Sequence, residues 1–153
     1  MIREVLRSDI VHKSDIYSLL SQASWESKLS GSSTRVFWTP RNKLRKELWE
    51  SYEKNNCWKI YGSFNSRGLI TGIATLIIEP SLDSMNTGSI TNVSVRPENR
   101  GHGIGKSIIE YTIEEAKKLK CKEVFVTCSN HNVPFYIKCG LHLHEQCMKI
   151  KLF

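Results

Sequence analysis

The chain has 153 residues, enough for one hydrophobic core, and we expect residues 1–153 to form a single domain. Its hydrophobic content of 40% and charged content of 24% are ordinary for a soluble globular protein. The net charge of +7 suits an anionic ligand, but the basic residues are scattered and no basic stripe interleaved with aromatic residues is present. Nucleic acid is therefore not an expected partner.

The N-terminal half predicts one strand and two helices. Residues 2–7 predict the strand, and Ser8 or Asp9 could cap a helix that runs to about residue 22. A second helix over residues 42–54 carries apolar side chains at helical spacing on one face.

The middle of the chain predicts a meander of antiparallel strands. Residues 57–64 and 69–80 each predict a strand, and the sequence Asn-Ser-Arg-Gly between them is typical of a hairpin turn. After a loop at residues 81–87, residues 89–95 predict the next strand. These strands follow one another closely, so we expect them to be neighbours in the sheet.

Helices and strands alternate in the C-terminal part. A helix is expected after Arg100, a strand at residues 123–128, and a further helix capped by Asn130 or Asn132 and ended by Gly140. Apolar residues at helical spacing in the first of these helices predict one stripe that faces the core, made of Ile108, Ile109, Ile113, Ala116 and Leu119. Residues 141–153 predict a final strand. This order of elements predicts a mixed α/β fold with a central, mostly antiparallel sheet flanked by helices.

The sequence gives little support for a targeting segment, a disulfide framework or a metal site. No apolar run approaches the roughly 20 residues of a membrane helix, and the first residues lack the apolar region of a secretory signal, so we expect a cytoplasmic protein without membrane contact. The five cysteines contain no C-x-x-C pair, which argues against a disulfide framework. Four possible zinc ligands are Cys139, His142, His144 and Cys147. On an extended strand they would alternate between two faces, so we expect no metal.

The most informative segment is NVSVRPENRGHGIGK at residues 92–106, a short strand followed by a turn, alternating glycines and a helix. Glycines let backbone N–H groups approach phosphate oxygens, and the helix directs its partly positive N-terminus at the same anion. A Walker A loop would need a glycine at Arg100, and a dinucleotide fingerprint would need one at Lys106. A third kind of pyrophosphate-binding turn is therefore predicted, with a simple helix-capping turn as the alternative.

The pattern Arg-Gly-x-Gly-x-Gly after a Val-x-Val strand resembles the acetyl-coenzyme A loop of the GNAT superfamily of N-acetyltransferases. Cys128 and the run NVPFYIKCGL at residues 132–141 are similar to the glucosamine 6-phosphate N-acetyltransferase family within it. The resemblance covers about residues 72–153, and the N-terminal half agrees only in element order. It implies the GNAT fold, a homodimer, and direct transfer of acetyl from acetyl-CoA to the amine of glucosamine 6-phosphate in a ternary complex, on the route to UDP-N-acetylglucosamine.

The resemblance also implies roles for the matching residues. Backbone pairing with the pantetheine arm is expected from Val93, Ser94 and Val95. The pyrophosphate is expected at Arg100, Gly101, His102, Gly103, Ile104, Gly105 and Lys106. Asn132 would hydrogen-bond the coenzyme arm, and Phe135 and Lys138 would border its channel. Tyr136 would stand beside the thioester sulfur.

Three positions depart from the family pattern, which has carboxylates where this chain has Thr91, Asn92 and Thr127. These residues are expected to contact the acceptor amine. The resemblance matches Lys151 to a basic residue that binds the acceptor's phosphate, across a dimer, and Lys149 shares its strand face. Without the resemblance, both lysines would be ordinary edge-strand charges.

Acetyl transfer needs a polarised carbonyl, a neutral amine and a protonated leaving thiolate. A backbone N–H near Val93 could polarise the carbonyl, and the phenol of Tyr136 could donate to the sulfur. Because Thr91, Asn92 and Thr127 are neutral, we hypothesise that water ordered by Asn92, Thr91 and strand carbonyls removes the amine's proton. Glu79 and Glu98 are the alternative bases. Two other functions stay open: an acetyltransferase for a protein N-terminus, lysine or polyamine, and a coenzyme-binding module without activity.

Overall fold

The computed structural model describes residues 1–6, 54, 57–82, 85–145, 148 and 150. The two helices predicted in the N-terminal half lie outside these residues, apart from residue 54. Cys147, Lys149 and Lys151 lie outside them too.

In the described part of the chain, five strands form one sheet in the order β1–β2–β3–β4–β5. They are β1 (Ile2–Glu4), β2 (Trp58–Phe64), β3 (Ile70–Glu79), β4 (Asn86–Val95) and β5 (Cys121–Val126). The pairs β1–β2, β2–β3 and β3–β4 are antiparallel, and β4–β5 is parallel. The predicted mostly antiparallel sheet and the meander in the middle of the chain are confirmed.

The turn between β2 and β3 follows from its residues. The side-chain oxygen of Asn65 accepts hydrogen bonds from the N–H groups of Arg67 and Leu69, at 2.9 and 3.0 Å. Gly68 has a φ of 74°, a left-handed conformation that glycine adopts without steric cost. The Asn-Ser-Arg-Gly sequence therefore makes the predicted hairpin turn.

Two α-helices follow β4, namely α1 (Ile104–Lys118) and α2 (Val133–Lys138). Helix α1 begins at Ile104, after the turn, because Gly101 and Gly103 have φ of 79° and 76°, outside the right-handed helical region. Helix α2 ends as predicted: Gly140 has a φ of 88°, and the next N–H, of Leu141, donates to the carbonyl of Tyr136.

Helix α1 packs its predicted apolar stripe against one face of the sheet. Ile108, Ile109 and Ala116 are all 0% exposed and belong to a cluster with Leu76 and Ile90 of the strands. A second cluster joins Val5, Ile60, Phe64, Ile70 and Ile73. Apolar side chains at alternating positions of β3 serve both clusters, which is what a strand buried on two faces requires.

Some predicted boundaries differ from the structure. β4 begins at Asn86 and β5 at Cys121, earlier than predicted, and β1 ends at Glu4. The prediction of a strand from residue 141 is wrong for residues 141–145, which form neither strand nor helix. Alternating apolar residues indicate that one side of a strand could be buried, but a strand forms only where its backbone pairs with the edge of another strand. Within the described residues, no helix is long and apolar enough to cross a membrane.

Candidate active site

β4 contains a β-bulge at its centre. Thr75 lies opposite Thr91, but Ile73, two residues earlier, lies opposite Ser94, three residues later, so β4 has one extra residue. Asn92 has a φ of 51°, a left-handed conformation that asparagine tolerates better than most residues. Its side-chain amide donates to the hydroxyl of Thr75 at 3.4 Å. The bulge therefore coincides with the two predicted catalytic residues of this strand.

The two parallel strands separate just beyond this point. The last pair between β4 and β5 is Ile90 with Val126, whereas β4 continues to Val95. In the described sheet, residues 91–95 thus have strand partners on the β3 side alone. An exposed strand edge of this kind can pair with an extended ligand. Thr91 and Thr127 are the next residues after this last pair: Thr91 stays paired with Thr75 of β3, and Thr127 follows the end of β5.

The chain after β4 is anchored by two arginines. The Arg96 N–H donates to the carbonyl of Thr71 at 2.9 Å, and its Nε donates to the carbonyl of Ile70 at 2.6 Å. Nε of Arg100 donates to the carbonyl of Val95 at 3.0 Å, while its side chain stays exposed. Arg100 is therefore held close to the end of β4 with its charge at the surface.

The glycine turn presents free backbone N–H groups. The first helical bond of α1 runs from the Ser107 N–H to the Gly103 carbonyl at 3.0 Å, so the N–H groups of residues 104–106 have no acceptor within the helix. A Cβ placed on Gly101 or Gly103 would meet no atom within 4 Å, so the space above both is open. The first turn carries no acidic residue and contains Lys106. This combination favours an anion.

Gly105 brings three elements together. A Cβ at this position would lie 3.2 Å from Phe135 Cζ and 3.5 Å from Val95 Cγ2. The N-terminus of α1 therefore approaches both α2 and the end of β4 more closely than a larger residue would allow. The glycine turn, the separated edge of β4 and the aromatic pair of α2 thus form one continuous region.

Tyr136 is the next residue on α2 and is half-buried. Its ring packs edge-on against Phe135, with ring centroids 5.0 Å apart and an angle of 71° between the ring planes. Burial above all, and then the neighbouring thiols of Cys128 and Cys139, raise the pKa of Tyr136 to about 12. The phenol is therefore protonated at neutral pH and available as a hydrogen-bond donor.

Other predicted residues lie around this region. The side-chain amide of Asn132 donates to Ser129 Oγ at 3.3 Å, so Asn132 stands at the start of α2 without capping it through its side chain. Lys138 and Thr127 are exposed. Burial raises the pKa of the Cys128 thiol. No group of three described His, Cys, Asp or Glu residues could hold a metal ion, and this includes Cys139, His142 and His144.

Two features of the site do not follow from the sequence pattern. The sequence predicts a backbone role for Ser94, but its side chain is also buried. Within the described part of the chain, neither its hydroxyl nor that of Thr91 has a hydrogen-bonding partner. Thr75, on the neighbouring strand, contacts Asn92. A serine between two valines of a strand is a weak signal, because the face it occupies depends on the bulge.

Comparisons with known proteins agree with this geometry. The model of the acetyltransferase (GNAT) family matches residues 20–141. The glucosamine 6-phosphate N-acetyltransferase of Trypanosoma brucei brucei is 36% identical over 87 residues, which cover 56% of this chain and 59% of that protein. The enzyme of the same name from Arabidopsis thaliana is 32% identical over 76 residues, covering 48% and 51%. The chain thus spans about half the length of these curated relatives.

Solved structures share the fold over nearly the whole chain. Glucosamine-6-phosphate N-acetyltransferase from Arabidopsis thaliana superposes with a TM-score of 0.78 at 22% identity, covering 100% of this chain and 98% of that one. A Trypanosoma brucei acetyltransferase gives a TM-score of 0.78 at 24% identity, covering 99% of both chains. An acetyltransferase from Clostridium acetobutylicum, solved with acetyl-CoA, gives 0.67 at 21% identity, covering 99% and 96%. Because the family model matches residues 20–141, most of its length, the chain belongs to the acetyltransferase (GNAT) family.

Proposed function

We propose that this protein transfers the acetyl group of acetyl-CoA to the amine of glucosamine 6-phosphate. The observation that carries the proposal is the meeting of three features at one place: free N–H groups at the start of α1, an unpaired edge of β4, and a protonated tyrosine on α2. Together these suit a ligand with a diphosphate, an extended amide-containing arm and a reactive thioester. The names of the curated relatives support the choice of acceptor.

The glycine turn fits the diphosphate of the coenzyme. Gly101 and Gly103 leave open space where side chains would otherwise stand, and the N–H groups of residues 104–106 point out of the first turn of α1. Arg100 and Lys106 would add positive charge beside these groups, and His102 lies exposed in the same turn. The pantetheine arm would then run along Val93–Val95 as an added strand, with Phe135 and Asn132 beside it.

The reaction would be a direct displacement with both substrates bound. The amine nitrogen attacks the thioester carbonyl carbon, the carbon–sulfur bond breaks, and the thiolate leaves. A backbone N–H near Val93, freed where β4 and β5 separate, would stabilise the developing oxyanion. The Tyr136 phenol would donate a hydrogen bond to the leaving sulfur. The amine's proton would pass to water ordered by the exposed side chain of Asn92 and by strand carbonyls near Thr91.

The acceptor would be bound by neutral groups near the amine and by cations near the phosphate. Asn92 and Thr127 are exposed and offer an amide and a hydroxyl where a carboxylate could have held an ammonium ion. The hydroxyl of Thr91 is buried, so Thr91 would contribute through its backbone. Lys149 and Lys151 are proposed for the phosphate, with Lys151 acting across a homodimer, on the resemblance alone.

The test is release of free thiol from acetyl-CoA with a panel of amines. We expect kcat/KM for glucosamine 6-phosphate to exceed that for glucosamine, lysine peptides and polyamines by at least about tenfold, since a phosphate contact is charge-assisted. Equal or better turnover of a peptide or polyamine would show that this amine is the acceptor, and the protein would still be an acetyltransferase. Saturable coenzyme binding without thiol release on any amine would leave a binding module.

A further inference from the structure

Two hydroxyl groups on β4 are buried and have no hydrogen-bonding partner among the residues that the structure describes. They are Oγ1 of Thr91 and Oγ of Ser94, and Ser94 as a whole is only 4% exposed. Other buried hydroxyls nearby are paired: Thr71 donates to the carbonyl of Ser63 at 3.1 Å. A buried hydroxyl left unpaired destabilises a fold, so a pair of them at one place calls for a group that binds both.

The bulge places these hydroxyls on the same face of the sheet. Ser94 lies opposite Ile73, which belongs to the core cluster remote from α1, and Thr91 lies opposite Thr75. Directly opposed residues of paired strands share a face, and Ile73 and Thr75 alternate onto one face. Thr91 and Ser94 therefore flank the bulge on the face away from α1, although they are an odd number of positions apart.

The spacing suits one small bridging molecule. Positions two apart on one face of a strand lie roughly 6–7 Å apart. Rotation of two such side chains about χ1 can bring their oxygens to the roughly 4.5–5.5 Å that a water with two hydrogen bonds of about 2.8 Å bridges. Water is both donor and acceptor, as each hydroxyl is, and internal waters in proteins commonly satisfy buried polar groups. A carboxylate or an ammonium group would instead have to be buried here without a countercharge.

We propose that Thr91 and Ser94 bind one internal water that braces the bulge of β4, which makes Ser94 a positioning residue for acetyl transfer. The water would tie the two flanks of the bulge together. The bulge contains Asn92 in a left-handed conformation and sets the direction of the Val93 N–H, the expected oxyanion donor. This inference rests on the proposed function for its catalytic consequence, but the water site itself does not depend on the acceptor.

The kinetic test compares Ser94→Ala with two matched variants. We expect Ser94→Ala to lower kcat by about tenfold with KM for acetyl-CoA changed less than about twofold, because a misdirected oxyanion donor weakens transition-state binding alone. Ser94→Thr keeps the hydroxyl and should retain kcat. Thr71→Val removes a paired hydroxyl on β3 and should lower the denaturation midpoint without changing kcat. Wild-type kcat in Ser94→Ala would overturn the positioning role.

A second arm needs neither coenzyme nor acceptor. Hydrogen exchange of the free protein should be faster by about tenfold at the amides of residues 92–94 in Ser94→Ala and unchanged in Ser94→Thr, because the brace is lost only in the first. A high-resolution crystal structure should show a water within hydrogen-bonding distance of both hydroxyls. Unchanged exchange, or two hydroxyls bonded directly to protein atoms, would overturn the water site. If only the acceptor assay fails, the exchange and crystallographic results still support the water site, and glucosamine 6-phosphate is rejected as the acceptor.

Discussion

The hydroxyl of Tyr136 offers the sharpest quantitative prediction. Its pKa of about 12 lies roughly 3.5 units above the value of about 8.5 for an ordinary thiol. Complete transfer of the phenolic proton to a leaving thiolate would therefore be uphill by about 5 kcal/mol, at about 1.4 kcal/mol per unit. The phenol is thus expected to act as a hydrogen-bond donor to the developing negative charge, not as a full proton donor.

The substitution Tyr136→Phe removes that donor and keeps the ring against Phe135. A hydrogen bond to a charged group contributes about 1.5–3 kcal/mol, so kcat should fall by about 10- to 150-fold. KM for acetyl-CoA should be nearly unchanged, because the bond strengthens as charge develops on sulfur. The assay is initial-rate thiol release between pH 7 and 9.

The matched control is Tyr111→Phe. Tyr111 lies on α1 and packs edge-on against Tyr61, with ring centroids 5.5 Å apart, and it has no expected contact with the thioester. Its variant should keep wild-type kcat. Unaltered turnover in Tyr136→Phe would remove the tyrosine from the reaction, and a loss beyond about 10⁴-fold, more than one such bond provides, would mean that full proton transfer does occur.

Three further predictions concern the loop, the core and alkaline pH. Gly103→Ala should raise KM for acetyl-CoA by about five- to thirtyfold, because a φ of 76° costs a non-glycine residue about 1–2 kcal/mol and the turn would relax. The control is Gly68→Ala, at a φ of 74° in the hairpin, which should lose similar stability and leave KM unchanged. Ile108→Ala should lower the free energy of unfolding by about 2–5 kcal/mol in urea titrations, since Ile108 is 0% exposed, and a loss under 1 kcal/mol would contradict its place in the core. Because folding raises the pKa of Tyr136 from 10.0 to about 12, its contribution to stability is complete below pH 10 and is lost as pH rises through 12. Tyr136→Phe should therefore reduce the loss of unfolding free energy over this alkaline range. The same loss in the variant would show that other groups cause it.

Much of the fold could be predicted from local patterns. Alternating residues and the Asn-Ser-Arg-Gly turn predicted the β2–β3 hairpin, and the apolar stripe of α1 predicted which side chains face the sheet. The glycines indicated the anion-binding turn because backbone conformation there depends on the residue type itself. The helix follows the glycine turn, as the order of residues predicts, because Gly101 and Gly103 take left-handed conformations.

The details of the candidate site depend on contacts between distant segments. The bulge at Asn92 arises from the register of β4 against β3, which no local pattern specifies. The raised pKa of Tyr136 reflects burial beside Cys128 and Cys139, on different elements. The unpaired hydroxyl of Ser94 is visible only once its face is known. Sequence patterns thus located the residues, and packing determined their chemistry.

The most direct test of the proposed chemistry is a crystal structure of the protein with acetyl-CoA bound. We expect the diphosphate to accept hydrogen bonds from the N–H groups of residues 104–106, the pantetheine arm to pair with residues 93–95, and the thioester sulfur to lie within hydrogen-bonding distance of the Tyr136 hydroxyl. A coenzyme bound elsewhere, with the glycine turn empty and the phenol distant from sulfur, would contradict it.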